Sequence, residues 1–205
     1  MVFYIVSIVG GDALIILVNY LVNLKTHSLS TIYIVLAGLI AGIGVIAIDA
    51  VSATFVRRCL PEKWFGHNVK FHKIGKKECA FYEKCGIKLW KDKILELGVF
   101  TSFSKKHVAD PNSSEYLERF ILECNYGYVI HFVGIFLGYL LLLVPPLSTT
   151  WRFSVPAATI NAFLNLLPFM ILRYNLPRLE RMRALAEKKE ARATREAAQA
   201  VVVEK

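Results

Sequence analysis

Glu123 and His131 form the residue pair with the clearest chemical use in this sequence. They stand eight apart around the start of a long apolar run, with Gly127 midway. On a helix, eight steps leave the two side chains about 80° apart and about 12 Å apart along the axis. They line one broad side and cannot bond each other directly in a straight helix. Gly127 predicts an open slot between them, wide enough for a substrate group. A histidine titrating near neutrality is the usual general base for a hydroxyl nucleophile. The structural alternative is that His131 bonds a neighbouring helix and Glu123 pairs with a nearby lysine.

Two further clusters suit an anionic ligand. Trp90-Lys91-Asp92-Lys93 puts two lysines beside an aromatic that favours a membrane interface. Lysines there can hold phosphate as point charges, or form a plain solvated face. Arg173-Tyr174-Asn175-Leu176-Pro177-Arg178 offers two arginines and an asparagine as a bidentate clamp. The alternative is a basic flank to a membrane span. Pro177 predicts an end or bend of the helix there. Asn165, eight residues before Arg173, is a candidate for the same cavity, though helix packing explains it equally well. Asp49 is expected to pair with Arg57 or Lys63, and Asp12 has no evident partner. His107-Val108-Ala109-Asp110 is too short for a His-four-residues-Asp acyltransferase motif. No nucleotide-binding glycine loop and no Gly-x-Ser-x-Gly elbow occurs.

The elements that must position these groups are long apolar runs, each near the roughly 20 residues that cross a hydrocarbon core as a helix. Spans are predicted over about 2–24, 32–55, 126–147 and 153–172. The third stops at Pro145-Pro146, and the fourth carries Asn161, Asn165 and Pro168. The turn over 25–30 is short enough to demand an antiparallel hairpin. Gly38, Gly42 and Gly44 predict close backbone approach. Segment 57–119 is basic and aromatic and cannot span. Ile87, Trp90, Ile94 and Leu97 recur at helical spacing, with Lys88, Lys91, Asp92 and Glu96 on other faces, the pattern of an interfacial helix. Asp110-Pro111-Asn112-Ser113-Ser114 reads as a loop and helix start. Residues 178–205 form a basic helical tail with four-apart ion pairs such as Arg192 and Glu196. The fold class is an all-α membrane protein. It has about four transmembrane helices in a single membrane domain, 1–177, a cytoplasmic interfacial segment and the tail.

The net charge is +9. It lies between and after the apolar spans, which points to membrane lipids and anionic headgroups as partners and away from nucleic acid. Both basic segments follow an even number of spans, so the positive-inside rule puts them and both termini in the cytoplasm of a multi-pass cell-membrane protein. The first run lacks a basic leader and reads as a retained anchor. Cys59, Cys79, Cys85 and Cys124 show no metal spacing and read as reduced, unpaired thiols.

The clusters coincide with a known pattern. Pro61-Glu62-Lys63-Trp64-Phe65 looks like Pro-Asp-Lys-Tyr-Phe. Lys88-Leu89-Trp90-Lys91-Asp92-Lys93-Ile94-Leu95 looks like Arg-Lys-Trp-Lys-His-Lys-Ile-Leu. Glu123 and His131 match a Glu and a His at the same separation, with Ile130 before the His. Arg173-Tyr174-Asn175-Leu176-Pro177-Arg178-Leu179 looks like Arg-Tyr-Asn-Arg-Pro-Arg-Leu, and Asn165 falls on an Asn. In these places, over about 57–185, the chain resembles the glycosyl-diaponeurosporenoate acyltransferase family, which in staphylococci completes the carotenoid glycolipid staphyloxanthin. It departs from the pattern at Asp92, at Leu176, in an extra first span and in a longer tail.

The resemblance implies transfer of a fatty acyl group to a sugar hydroxyl on a membrane lipid. His131 and Glu123 are then the catalytic candidates. Trp90, Lys91, Asp92, Lys93, Asn165, Arg173, Asn175 and Arg178 are the substrate-binding ones. No metal or cofactor is needed beyond an acyl donor such as acyl-CoA, an acyl carrier protein or a phospholipid, and oligomers are possible. A non-catalytic lipid-binding or scaffold protein is the alternative. A transporter ranks last, because the chain shows no inverted repeat.

Overall fold

A computed structural model describes residues 2–94, 108–145, 147–148 and 151–203. Among these residues every regular element is helical. They are α1 (Val2–Thr26), α2 (Thr31–Cys59), α3 (Lys76–Lys84), α4 (Ile87–Trp90), α5 (Ser114–Leu137) and α6 (Trp151–Val203), with short 3-10 turns at Glu62–Trp64, Lys70–His72 and Gly138–Leu143. Four stretches are long and apolar enough to cross a membrane: Val6–Thr26, Thr31–Cys59, Ser114–Leu143 and Trp151–Gln199. The all-α, four-span expectation holds. The last two helices run beyond the predicted spans, because polar but helix-favouring sequence extends each apolar core.

The described residues cluster into two compact units. Those within Met1–Leu60, Lys93–Leu95 and Tyr128–Phe169 make the first. Those within Pro61–Asp92, Glu96–Gly127 and Met170–Lys205 make the second.

In the first unit, α1 and α2 form the predicted hairpin. Asn23 closes it, donating from Nδ2 to the Leu29 carbonyl at 2.7 Å and accepting the Leu29 amide at Oδ1 at 2.8 Å. Ser30 caps α2 through the Tyr33 amide at 3.2 Å. Such a cap satisfies one of the donors that a helix start leaves open. The glycines of α2 are where neighbours press in. A Cβ at Gly38 would lie 2.3 Å from Ile16 Cγ1, and one at Gly44 2.6 Å from Leu141 Cδ2. Ile15, Ile34, Ala41, Val45, Leu141 and Phe153 build the core beside them.

Pro156 lies inside α6 and has no N–H for the Arg152 carbonyl four residues back. Asn19 of α1 donates its side-chain amide to that carbonyl at 3.4 Å and to the Ile15 carbonyl at 2.8 Å. A polar side chain at membrane depth thus replaces a missing backbone donor.

In the second unit, Phe65 stacks on Tyr126 with ring centroids 4.0 Å apart and on the His72 ring at 6.1 Å. His72 is buried, and its Nε2 lies 2.6 Å from the Trp64 carbonyl. The predicted loop and helix start before α5 are present. Asp110 Oδ1 accepts the Asn112 and Ser113 amides, and Ser113 Oγ accepts the Tyr116 amide at 3.1 Å. Glu190 of α6 takes the Ser114 amide at 2.8 Å.

Two local expectations need correction. Of the interfacial helix proposed over 87–97, the described residues 87–94 form a single helical turn, α4, followed by a turn through Lys93. There the Trp90 indole donates back to the Cys85 carbonyl at 3.1 Å, a local bond, and Lys91 Nζ lies 5.4 Å from the Tyr174 ring centroid, a tertiary one. Leu97 and Glu96 lie outside the described residues, as does Pro146. Of the end or bend expected at Pro177, the end does not occur. α6 runs through it into the tail, where Arg181 Nε donates to the Pro177 carbonyl at 3.2 Å. The expected Arg192–Glu196 pair forms at 2.8 Å. All four cysteines are free thiols.

Candidate active-site groups

Polar residues in the first unit gather where α2, α5 and α6 meet. Asn161 and Asn165 are four apart and so share one face of α6. Opposite them α5 and its 3-10 extension carry Gly134 and Gly138. A Cβ at Gly134 would sit 2.8 Å from Asn165 Oδ1, and one at Gly138 3.1 Å from Asn161 Nδ2. The glycine pair is therefore what admits the two amides.

Asn165 Oδ1 lies 2.8 Å from His131 Nδ1. Its Nδ2 donates to Asp49 Oδ2 at 2.8 Å and to the Asn161 carbonyl at 3.1 Å. Asn161 Nδ2 reaches Asp49 Oδ1 at 3.3 Å and the Gly134 carbonyl at 3.5 Å. The result is a chain from α2 through α6 to α5: Asp49, Asn165, His131. Asp49 was expected to pair with Arg57 or Lys63. Instead its carboxylate takes these two asparagine amides, the donors that the helix packing places against it.

An intramembrane acid without an evident role was also expected at Asp12. It packs against Gly42 of α2, where a Cβ would fall 1.8 Å from Asp12 Oδ2. A small cavity of about 20 Å³ lies beside it, lined by Asp12, Gly42, Asn161 and apolar neighbours.

In the second unit the main polar group is Arg173 with Glu78. Arg173 Nε and Nη2 donate to the two Glu78 oxygens at 2.7 and 2.8 Å, a fork-on-carboxylate pair. Tyr82 donates its hydroxyl to Glu78 Oε1 at 2.6 Å. Burial pushes the Glu78 carboxyl up, but the Arg173 and Tyr82 hydrogen bonds outweigh it and hold the carboxyl below its ordinary range. Burial and the Glu78 bond push the Tyr82 hydroxyl far up, so it stays protonated. Burial also holds the His72 imidazole below its usual value, reinforced by the Arg173 charge and opposed by the hydrogen bond to Trp64.

Glu123 pairs with Arg119, one turn earlier on the same helix, at 3.2 Å. The slot expected at Gly127 is filled: a Cβ there would lie 3.0 Å from Leu172 Cδ1. Gly127 serves packing. Trp90, Lys91 and Asn175 are half-buried, while Asp92, Lys93 and Arg178 are exposed. Lys88 pairs with Glu83 at 2.7 Å.

The structure thus joins His131 to Asn165 and gives Arg173 a separate partner, Glu78. Sequence reasoning missed Glu78, Tyr82, Gly134, Gly138 and Asn125. Asn125 is fully buried in α5 and donates to the Phe65 carbonyl at 2.7 Å, while its Oδ1 accepts nothing among the described residues. An asparagine at the edge of the third predicted span and a second four-apart glycine pair were the available signals. Glu78 carried none. Among the described residues no three of His, Cys, Asp and Glu gather into a metal-binding group.

The helices and their buried polar groups define a helical membrane protein. Within that class the chain is assigned by its sequence: the model of the glycosyl-4,4'-diaponeurosporenoate acyltransferase family matches residues 61–185, more than half of the chain, and the chain belongs to that family. No curated protein and no solved structure matches it.

Proposed function

We propose that the chain is a membrane-embedded acyltransferase that moves a fatty acyl group onto a sugar hydroxyl of a membrane lipid or carotenoid glycolipid. The observation that carries this reading is the 2.8 Å contact between His131 and Asn165, inside a segment that belongs to an acyltransferase family. An amide oxygen only accepts, so Nδ1 carries the proton, and in a neutral ring the lone pair is on Nε2. Nε2 takes the proton of the attacking hydroxyl.

Glu123 orients the acceptor or holds a proton. Lys91, Lys93, Arg173 and Arg178 bind the anionic donor (acyl-CoA, an acyl carrier protein thioester or a phospholipid) or stabilise the oxyanion. Asn165 and Asn175 supply hydrogen bonds, Asp92 sits with the lysines, and Trp90 anchors the segment at the interface. The basic segments and both termini lie on the cytoplasmic side of the cell membrane.

A second reading, a non-catalytic lipid-binding or scaffold protein, is favoured by one observation. The Arg173 fork is engaged by Glu78, as in a structural ion pair.

The test uses the full chain in vesicles containing a glucosylated lipid, supplied in turn with each of the three donors. A product heavier by one fatty acyl group, absent with His131→Ala, supports acyl transfer. No product from any donor, with the chain helical and inserted, favours the second reading.

A further inference from the structure

Asp49 belongs to α2, in the hairpin that precedes the matched segment 61–185. Its carboxylate nevertheless takes amides from two α6 side chains, Asn165 at 2.8 Å and Asn161 at 3.3 Å. A carboxylate accepts and does not donate. It therefore draws the NH₂ end of Asn165 toward α2 and leaves the carbonyl end facing His131 Nδ1. The Asn161 carbonyl also takes the Asn165 amide, at 3.1 Å, but the carboxylate bond is shorter, and bonds to charged acceptors are the stronger kind.

The geometry points to Asp49 as a positioning residue that acts through Asn165 to hold His131 with Nε2 as its proton-accepting atom. This rests on the reading of His131 as the base of acyl transfer. In that step the sugar hydroxyl gives its proton to Nε2 while its oxygen bonds the acyl carbon. The acyl–donor bond breaks with its electron pair on the leaving group, which takes the proton back from Nε2. Asp49 touches no reacting atom and exchanges no proton. The hairpin outside the matched segment thus becomes part of the machinery.

The experiment uses the full chain with ¹⁵N-labelled histidine in lipid nanodiscs, the His131 resonances being assigned by their loss in His131→Gln. The wild type is expected to show a protonated Nδ1 and an unprotonated Nε2. Asp49→Leu should move the His131 nitrogens toward a mixture of tautomers. It should also lower kcat for acyl transfer about tenfold to a hundredfold with KM held, the size of a lost hydrogen bond to a charged group. Asp49→Asn keeps an acceptor oxygen and should retain the wild-type tautomer and more of the rate.

Asp49→Ala replaces the leucine variant if that one does not insert. A leucine or alanine variant with wild-type helicity, melting point and His131 nitrogens overturns the positioning role. A shifted tautomer in a protein whose wild type transfers no acyl group supports the coupling of Asp49 to His131 and overturns acyl transfer instead.

Discussion

Replacing Glu78 by alanine removes the carboxylate that holds the Arg173 fork. The arginine side chain is only 12% exposed and its Nε and Nη2 both donate to the Glu78 carboxylate, which is 29% exposed. The Tyr82 hydroxyl loses its acceptor in the same step. Breaking a fully buried pair costs about 3–5 kcal/mol, and exposed pairs contribute about 0–1 kcal/mol. The partial exposure of Glu78 discounts the upper figure for solvent screening, leaving about 1–3 kcal/mol. For a chain of this size that is a fall of roughly 2–12 °C in Tm. Thermal loss of helicity in detergent is the assay, applied to Glu78→Ala, Arg173→Ala and the double variant. The double variant should lose less than the sum of the singles, because each single change already removes the shared contact. Arg192→Ala is the control, since that pair is 82% and 62% exposed and should move Tm little. Additive losses, or a Glu78 effect no larger than that of Arg192, would refute the reasoning.

Three further outcomes follow from the same structure. Gly38→Ala drives a methyl to 2.3 Å from Ile16 Cγ1 and should destabilise the hairpin by about 1–3 kcal/mol, whereas Gly10→Ala, with open space around it, should be neutral or stabilising; melting curves decide. Acidification should weaken the second unit in two stages, read as Tm against pH. The His72 imidazole, depressed by burial, begins to lose stability as pH falls below its unfolded value of 6.5; Glu78, depressed by Arg173 and Tyr82, does so below 4.5, and Glu78→Gln should shrink the lower stage, to which the exposed Glu83 and Glu190 also contribute. Asn19→Leu should cost about 1 kcal/mol by orphaning the Arg152 carbonyl, and Pro156→Ala should offset part of it by restoring a backbone donor; equal Tm losses with and without the alanine contradict this.

The spans were legible because each is a long uncharged run, and Gly38 and Gly42 announced the close approach of α1. Asp110 with Ser113 marked the start of α5, and the four-apart Arg192 and Glu196 marked an ion pair, because local spacing alone sets both. His131 and Asn165 were singled out separately, but their bond joins residues 34 apart, which helical spacing cannot foresee. Glu78 was invisible among lysines, 95 residues from Arg173. Asp49 was assigned to basic residues near it in sequence, whereas helix packing supplied it with neutral amides from 112 and 116 residues away. Gly127 was expected to leave an open slot, and the sequence does not reveal that Leu172 packs into it. Pro177 breaks isolated helices, yet α6 continues through it into a tail rich in helix formers.

The most direct test of the acyl-transfer claim is mass spectrometry of lipid extracts from cells expressing the wild type or His131→Ala, with both proteins verified in the membrane and the native acceptor lipid present. The account predicts a glycolipid that gains one fatty-acyl mass with the wild type and stays unmodified with the variant. Identical lipid profiles from the two would contradict it.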